Sequence, residues 1–234
     1  MKKINTILLG FATLFSPAFS QNRTLTIDEF AQLLRTSPNA QVLDARSPQE
    51  FAINHIENAI NVNLRDSVAT EALISRLNPA YPSFTYSINN GRSAALAAKL
   101  TAKGFSHVYE LPGGLANWVG AGYKLKTTET TGVSIDKQEF SKLVNSHNVV
   151  LVDFGSKFCG GCRQLIPVLN SLEKSYSKSI KILRFELEKN PEIIRDQKIN
   201  SLPTLILYKK GNPIWQNKGL ISYHQLAEIV RSNL

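Results

Sequence analysis

Only two cysteines occur in the 234 residues, and they stand three apart as Cys159 and Cys162. A thiolate is the nucleophile of disulfide exchange, and a second thiol within reach can displace the mixed disulfide that the first one forms. As a structural staple the same pair would do little, because closing so short a loop removes little entropy from the unfolded chain. An exported disulfide framework spreads more cysteines at wider spacings. A zinc site needs about four ligands, and none of the four histidines sits at metal-ligand spacing to the pair. The pair therefore reads as a redox centre with no metal and no cofactor, an inert closed disulfide being the other reading.

The surrounding pattern supplies a reason for the sulfur to react. Val149-Val150-Leu151-Val152-Asp153-Phe154 is an almost unbroken apolar run, the pattern of a buried central strand, and residues 162–174 have helical periodicity. A strand that turns into a helix places Cys159 at the helix N-terminus. There the unpaired backbone N–H groups and the helix dipole favour a thiolate. Cys162 lies one turn on, on the same face. Around these elements the sequence predicts helices over 136–144, 191–198 and 223–231, a strand over 181–187, and a hairpin from 205–208 and 213–215 about the Lys209-Lys210-Gly211-Asn212 turn.

The first half alternates in the same way. A capped helix over 26–34, strands over 41–45, 59–62, 83–88 and 107–111, and helices over 71–77 and 93–103 predict a parallel α/β sheet. The polar, Thr-rich stretch Lys126–Gly132 is the candidate linker. The expected organisation is a leader over 1–20, a first domain over 21–126, a linker over 127–132 and a second domain over 133–234.

Residues 133–234 resemble a thioredoxin domain. The resemblance is carried by the apolar strand ending in Asp153-Phe154, by Cys159-Gly160-Gly161-Cys162, by Pro167 five residues further on, and by Ser201-Leu202-Pro203-Thr204. It implies a thioredoxin fold with a central mixed sheet. It also implies a cis Leu202–Pro203 bond packed against the two sulfurs, although the sequence alone equally allows an ordinary trans proline. The backbone beside Leu202 would pair with an extended peptide. The resemblance makes Asp153 the buried acid below the disulfide, its pKa raised by desolvation so that it exchanges a proton with Cys162. Arg184 matches the position of that acid's usual lysine partner; it would hold Asp153 ionised, or form a purely structural ion pair. Gly161 replaces the usual proline of the motif, and Phe158 and Gly155 replace tryptophans. The Gly160-Gly161 dipeptide tunes the potential, which leaves the direction of electron flow open.

Residues 25–125 resemble a rhodanese domain, through Val42–Phe51, His55–Val62, Gly91-Arg92-Ser93 and Leu111–Trp118. The resemblance implies a parallel sheet with flanking helices. In that family a cysteine opens the loop that here runs Ser87-Ile88-Asn89-Asn90-Gly91-Arg92. Ser87 has no sulfur to carry, and no histidine stands in an obvious position to activate it, so sulfur transfer is not expected. The loop's N–H groups and Arg92 would hold an anion, or the loop is merely structural, or it docks substrates for the redox half; Asn89, Asn90 and Gly91 tolerate unusual backbone angles. Asp44, Arg46 and His55 read as structural, and Tyr86, Tyr109 and Trp118 as packing.

Lys2 and Lys3, the apolar stretch from Ile4 to Phe15, and small residues at Ala18 and Ser20 before Gln21 read as a secretory signal peptide. This gives an exported, periplasmic expectation with no stable membrane insertion after cleavage. Without the leader's two lysines the net charge falls from +9 to +7, of which residues 127–234 carry +5, with 15 basic and 10 acidic side chains. The charge is scattered, with no basic stripe or aromatic platform, so nucleic acid is not an expected partner. The expected function is an exported protein-disulfide oxidoreductase, more a reductase than an oxidase or isomerase. Its partners would be protein or peptide disulfides and a membrane or exported thiol donor. A partner-binding or redox-sensing adaptor is the alternative. A fusion that discharges a rhodanese persulfide is disfavoured by Ser87.

Overall fold

The computed structural model describes residues 25–127 and 135–234. The leader, and the linker beyond Thr127, lie outside the described residues. The first half runs α1 (Ile27–Thr36), β1 (Gln41–Asp44), α2 (Pro48–Ile53), β2 (Asn54–His55), β3 (Ile60–Asn61), α3 (Ser67–Ile74), β4 (Ser83–Tyr86), α4 (Asn90–Ala102), β5 (Val108–Glu110), α5 (Gly114–Gly120) and β6 (Lys126–Thr127). The second runs α6 (Lys137–Val144), β7 (Val149–Gly155), α7 (Gly160–Tyr176), β8 (Lys181–Glu186), α8 (Pro191–Asp196), β9 (Thr204–Lys209), β10 (Asn212–Lys218) and α9 (Tyr223–Arg231).

In the first half a sheet of order β3-β1-β4-β5 is parallel at every pairing. Alternation along its strands splits the core in two. Val42, Phe84 and Tyr86 face one cluster, while Leu43 and Ala45 face another with Leu96 and Leu100 of α4. In the second half the order is β10-β9-β7-β8, with β7 parallel to β8 and antiparallel to β9. This is the expected mixed sheet. β7 is buried along its whole length, with Val150, Val152 and Phe154 on one face and Val149 and Leu151 on the other, the latter against α7 and α9.

The differences from the sequence reading have local causes. Lys126 and Thr127, placed at the linker, instead pair antiparallel with His55 and Asn54. α2 was not foreseen: its six residues are too few to show a period, yet Ser47 and Glu50 form a capping box around Pro48. α5 was not foreseen either. It begins and ends in glycine, poor helix formers, and packing replaces propensity.

That packing joins the halves. A Cβ on Gly120 would lie 2.2 Å from the Ile199 carbonyl oxygen, so only glycine lets α5 approach the loop after α8. Ile88, Leu115, Ala116 and Val119 from the first half share one apolar cluster with Ile194, Ile199, Leu202 and Cys159 from the second. The two sheets thus border one continuous core, with the cysteine pair at its edge.

Candidate active site

Cys159 is the N-cap of α7, in extended conformation, and its Sγ accepts a hydrogen bond of 3.2 Å from the Cys162 N–H. The two cysteines are disulfide-bonded, with Cα atoms 5.2 Å apart. An N-cap sulfur that already accepts a backbone N–H is poised to carry negative charge once reduced. Pro167 lies inside α7, where it leaves one helical hydrogen bond unmade.

The Leu202–Pro203 peptide bond is cis. Pro203 packs on the motif itself: a Cβ on Gly161 would lie 3.3 Å from Pro203 Cδ, so a side chain at Gly161 would crowd the proline. Gly160 has open space where its side chain would be. Leu202 is buried, and its carbonyl faces the first half of the chain.

Asp153 is 7% exposed, and its Oδ1 has no hydrogen-bond partner among the described residues. A Cβ on Gly155 would lie 3.6 Å from both Asp153 Oδ1 and Cys162 Sγ, so carboxyl and sulfur line the same small space. Burial pushes the Asp153 carboxyl up to about 6, and the charge of Arg184 opposes this without offsetting it. The expectation that Arg184 holds Asp153 ionised is therefore corrected. The two residues are register neighbours on β7 and β8, but the Arg184 guanidinium turns to Asn170, at 2.8 Å, and Glu173, at 3.8 Å. Desolvation wins because the compensating charge faces solvent and helix α7 instead.

The polar side chains of the six-residue loop of the first half are bonded within the protein. Ser87 is buried; its hydroxyl donates to the Asn89 carbonyl and accepts from the Ser93 N–H at 3.3 Å. Asn90 donates to Glu110 and to the Leu111 carbonyl. Arg92 makes two bonds to the buried Glu50, at 2.6 and 2.7 Å. Burial raises the Glu50 pKa, but hydrogen bonds from Arg92 and Ser47 outweigh it and leave the carboxyl below its ordinary value. The charge of Arg92 is thus already matched within the protein. The unusual backbone angles that Asn89, Asn90 and Gly91 tolerate are not used: Asn89 is extended, and α4 begins at Asn90 rather than Ser93. Asp44 and Arg46 form a fully buried ion pair, and His55 stacks on Phe51.

Sequence reasoning missed what covers the sulfur. Cys159 is 0% exposed, and Asn89 of the first half reaches its Sγ at 3.6 Å and the Leu202 carbonyl at 3.4 Å. No local pattern links residues 70 positions apart. Two further residues shape the loop before Cys159: the Ser156 hydroxyl accepts from the Phe158 N–H at 3.1 Å and donates to the buried Glu188, whose carboxyl burial pushes up. Beside them a cavity of about 520 Å³ opens between the halves, bordered by Arg65, Asn89, Arg92, Phe158, Gly160 and Arg163.

The family model described as Thioredoxin matches residues 131–232. The thioredoxin of Rickettsia bellii is 32% identical over 99 residues, which are 42% of this chain and 94% of that protein. The chain belongs to the thioredoxin family. A chloroplastic thioredoxin of Arabidopsis thaliana is 35% identical over 46% of this chain and 66% of its own length. Oxidised mitochondrial thioredoxin 3 of Saccharomyces cerevisiae overlaps with a TM-score of 0.38 at 23% identity, over 41% of this chain and 88% of the other. The family model described as Rhodanese-like domain matches residues 26–121. The chain is thus a rhodanese-like domain followed by a thioredoxin domain, and its thioredoxin half is a thiol–disulfide oxidoreductase of the protein-disulfide class.

Proposed function

We propose that this chain is an exported, periplasmic reductase of protein disulfides acting through Cys159 and Cys162, with its rhodanese-like half serving as a docking module that has no sulfurtransferase activity. The observation that carries the reading is Cys159 at the N-cap of α7, hydrogen-bonded by the Cys162 N–H and one turn from its partner sulfur. In the reduced pair the Cys159 thiolate attacks a substrate disulfide. One substrate thiolate leaves, and a mixed disulfide forms on Cys159. Asp153, with a pKa of about 6, takes the Cys162 proton, and the Cys162 thiolate displaces the second substrate thiol. Two electrons pass to the substrate, and a membrane-bound or exported dithiol restores the pair. Gly160 and Gly161 follow the sulfur in the chain, Pro203 packs on Gly161, and the buried Leu202 offers the carbonyl that a substrate backbone would take from Asn89. Export rests on the leader-like composition of residues 1–20, and the docking role on the closeness of the loop at Ser87–Arg92 to the sulfur.

Reduction of insulin by dithiothreitol, followed by turbidity with protein lacking residues 1–20, tests this. The account expects turnover that is lost in Cys159→Ser; equal rates with and without the protein would overturn it. The full burial of Cys159 favours a second reading, a redox sensor whose halves separate on reduction. Binding of a partner that depends on redox state, without turnover, is its signature.

A further inference from the structure

Asn89 is the N-cap of α4, where an asparagine side chain ordinarily accepts a hydrogen bond from the first turn of its own helix. It makes no such bond. Its carbonyl is held instead by the hydroxyls of Ser87 and Ser93, so its backbone is fixed while its side chain is directed across the domain boundary. The side-chain amide reaches Cys159 Sγ at 3.6 Å and the Leu202 carbonyl at 3.4 Å. The approach is built in, because Gly113 and Gly120 let α5 lie directly on the backbone of Asn200 and Ile199, just ahead of Leu202.

We propose that Asn89 is a positioning residue of the redox site, donating its side-chain N–H to the Cys159 sulfur so that the degenerate rhodanese-like loop stabilises the thiolate of the neighbouring domain. The inference rests on the reading of Cys159 as the attacking sulfur. An N–H donor is worth more to a charged acceptor than to a neutral thiol, so it lowers the thiol pKa. The donation ends when Cys159 attacks: its charge passes to the departing substrate thiolate, and the mixed disulfide has no anion left to hold. The same side chain occupies the Leu202 carbonyl and covers the sulfur, so a substrate backbone must displace it. The charged and titratable groups around Cys159 are Lys157 and Arg163 on its own loop and helix, Asp153 and Glu188 beneath, and Arg65, Arg92 and its partner Glu50 across the cavity. All remain in the variants below.

The test uses the full mature chain in a Cys162→Ser background, so that one thiol remains, and follows the rate of iodoacetamide alkylation against pH. The midpoint reads thiolate stability and the plateau reads access. Asn89→Ser keeps a good N-cap but is too short to reach the sulfur. It is expected to raise the midpoint by about one unit, a tenfold loss of thiolate well below the midpoint, and to raise the plateau. Asn89→Asp, an equally good cap, is expected to raise the midpoint further by placing a carboxylate beside the thiolate. An unmoved midpoint in both, whatever the plateau does, would overturn the proposal and leave Asn89 a simple cover. Insulin turnover of the parent with both cysteines is measured alongside. Turnover with unmoved midpoints removes only the Asn89 proposal. Absent turnover removes the reading of the site, and the midpoints still decide for Asn89.

Discussion

The substitution Asp153→Asn should make the oxidised protein more stable at neutral pH and less active. The carboxyl is 7% exposed, its Oδ1 is unpartnered among the described residues, and burial raises its pKa from 3.8 to about 6. The folded chain therefore holds this proton between about pH 4 and 6 while the unfolded chain releases it. Stability associated with the group is fully present below pH 3.8 and is lost as pH rises through about 6. At 1.36 kcal/mol per pKa unit, the charged carboxylate costs about 3 kcal/mol above pH 7. The substituted amide is neutral throughout, so the variant's advantage is expected to be near zero at pH 4 and to grow to about 2–3 kcal/mol by pH 7.5. Urea unfolding of both oxidised proteins at half-unit pH steps measures it. The oxidised form is used because a disulfide does not titrate. A difference that does not change with pH, or a less stable variant at pH 7.5, would refute desolvation as the cause. In the reduced form the same variant should slow release of the mixed disulfide about a hundredfold, the lower end for loss of a general base, and leave the Cys159 attack rate unchanged.

Gly120→Ala places a Cβ 2.2 Å from the Ile199 carbonyl, and should cost about 1–3 kcal/mol and speed alkylation of reduced Cys159. Gly91→Ala, with nothing within 4 Å, should do neither, and equal effects from the two would argue against close packing of the halves. Glu50→Gln should destabilise the rhodanese-like half by about 1–3 kcal/mol in urea at pH 7, since it loses the charge that Arg92 and Ser47 bind. The Glu50 pKa is lowered, so that loss should shrink as pH falls below 4.5 and through the folded value, and a penalty constant with pH would contradict the ion pair. Ser87→Cys should not create thiosulfate-dependent thiocyanate formation, because position 87 is 1% exposed and its side chain is engaged by Asn89 and Ser93; thiocyanate above the parent level would show that the loop is open.

The parts of the site carried by neighbours in sequence were legible. The strand ending at Phe154, the turn and the helix beginning at the cysteines follow from apolar runs and periodicity, and together they fix Cys159 at a helix N-terminus. The buried state of Asp153 was expected from the thioredoxin resemblance, and its place at the end of a buried strand agrees with it. The direction of Arg184 was not legible. Register puts it beside Asp153, but a long side chain at a half-buried strand position has a choice, and Asn170 and Glu173 of α7 are the partners that it takes. α5 was hidden because Gly114 and Gly120 lower its helix propensity while serving its packing; Gly114 lies so near Ile88 that a Cβ would stand 2.5 Å from its carbonyl oxygen. The interdomain contact was hidden for a further reason. Asn89 reads as a loop residue, and only the fold shows it at the N-cap of α4 with its side chain turned to a sulfur in the other domain.

The most direct test of the central claim is the equilibrium reduction potential of the Cys159–Cys162 pair, measured in protein lacking residues 1–20 against a series of thiol–disulfide buffers. A reductase of protein disulfides predicts a value near that of thioredoxin, about −270 mV. A value close to about −120 mV, that of a strong oxidant, would contradict the account and make the protein a donor of disulfides.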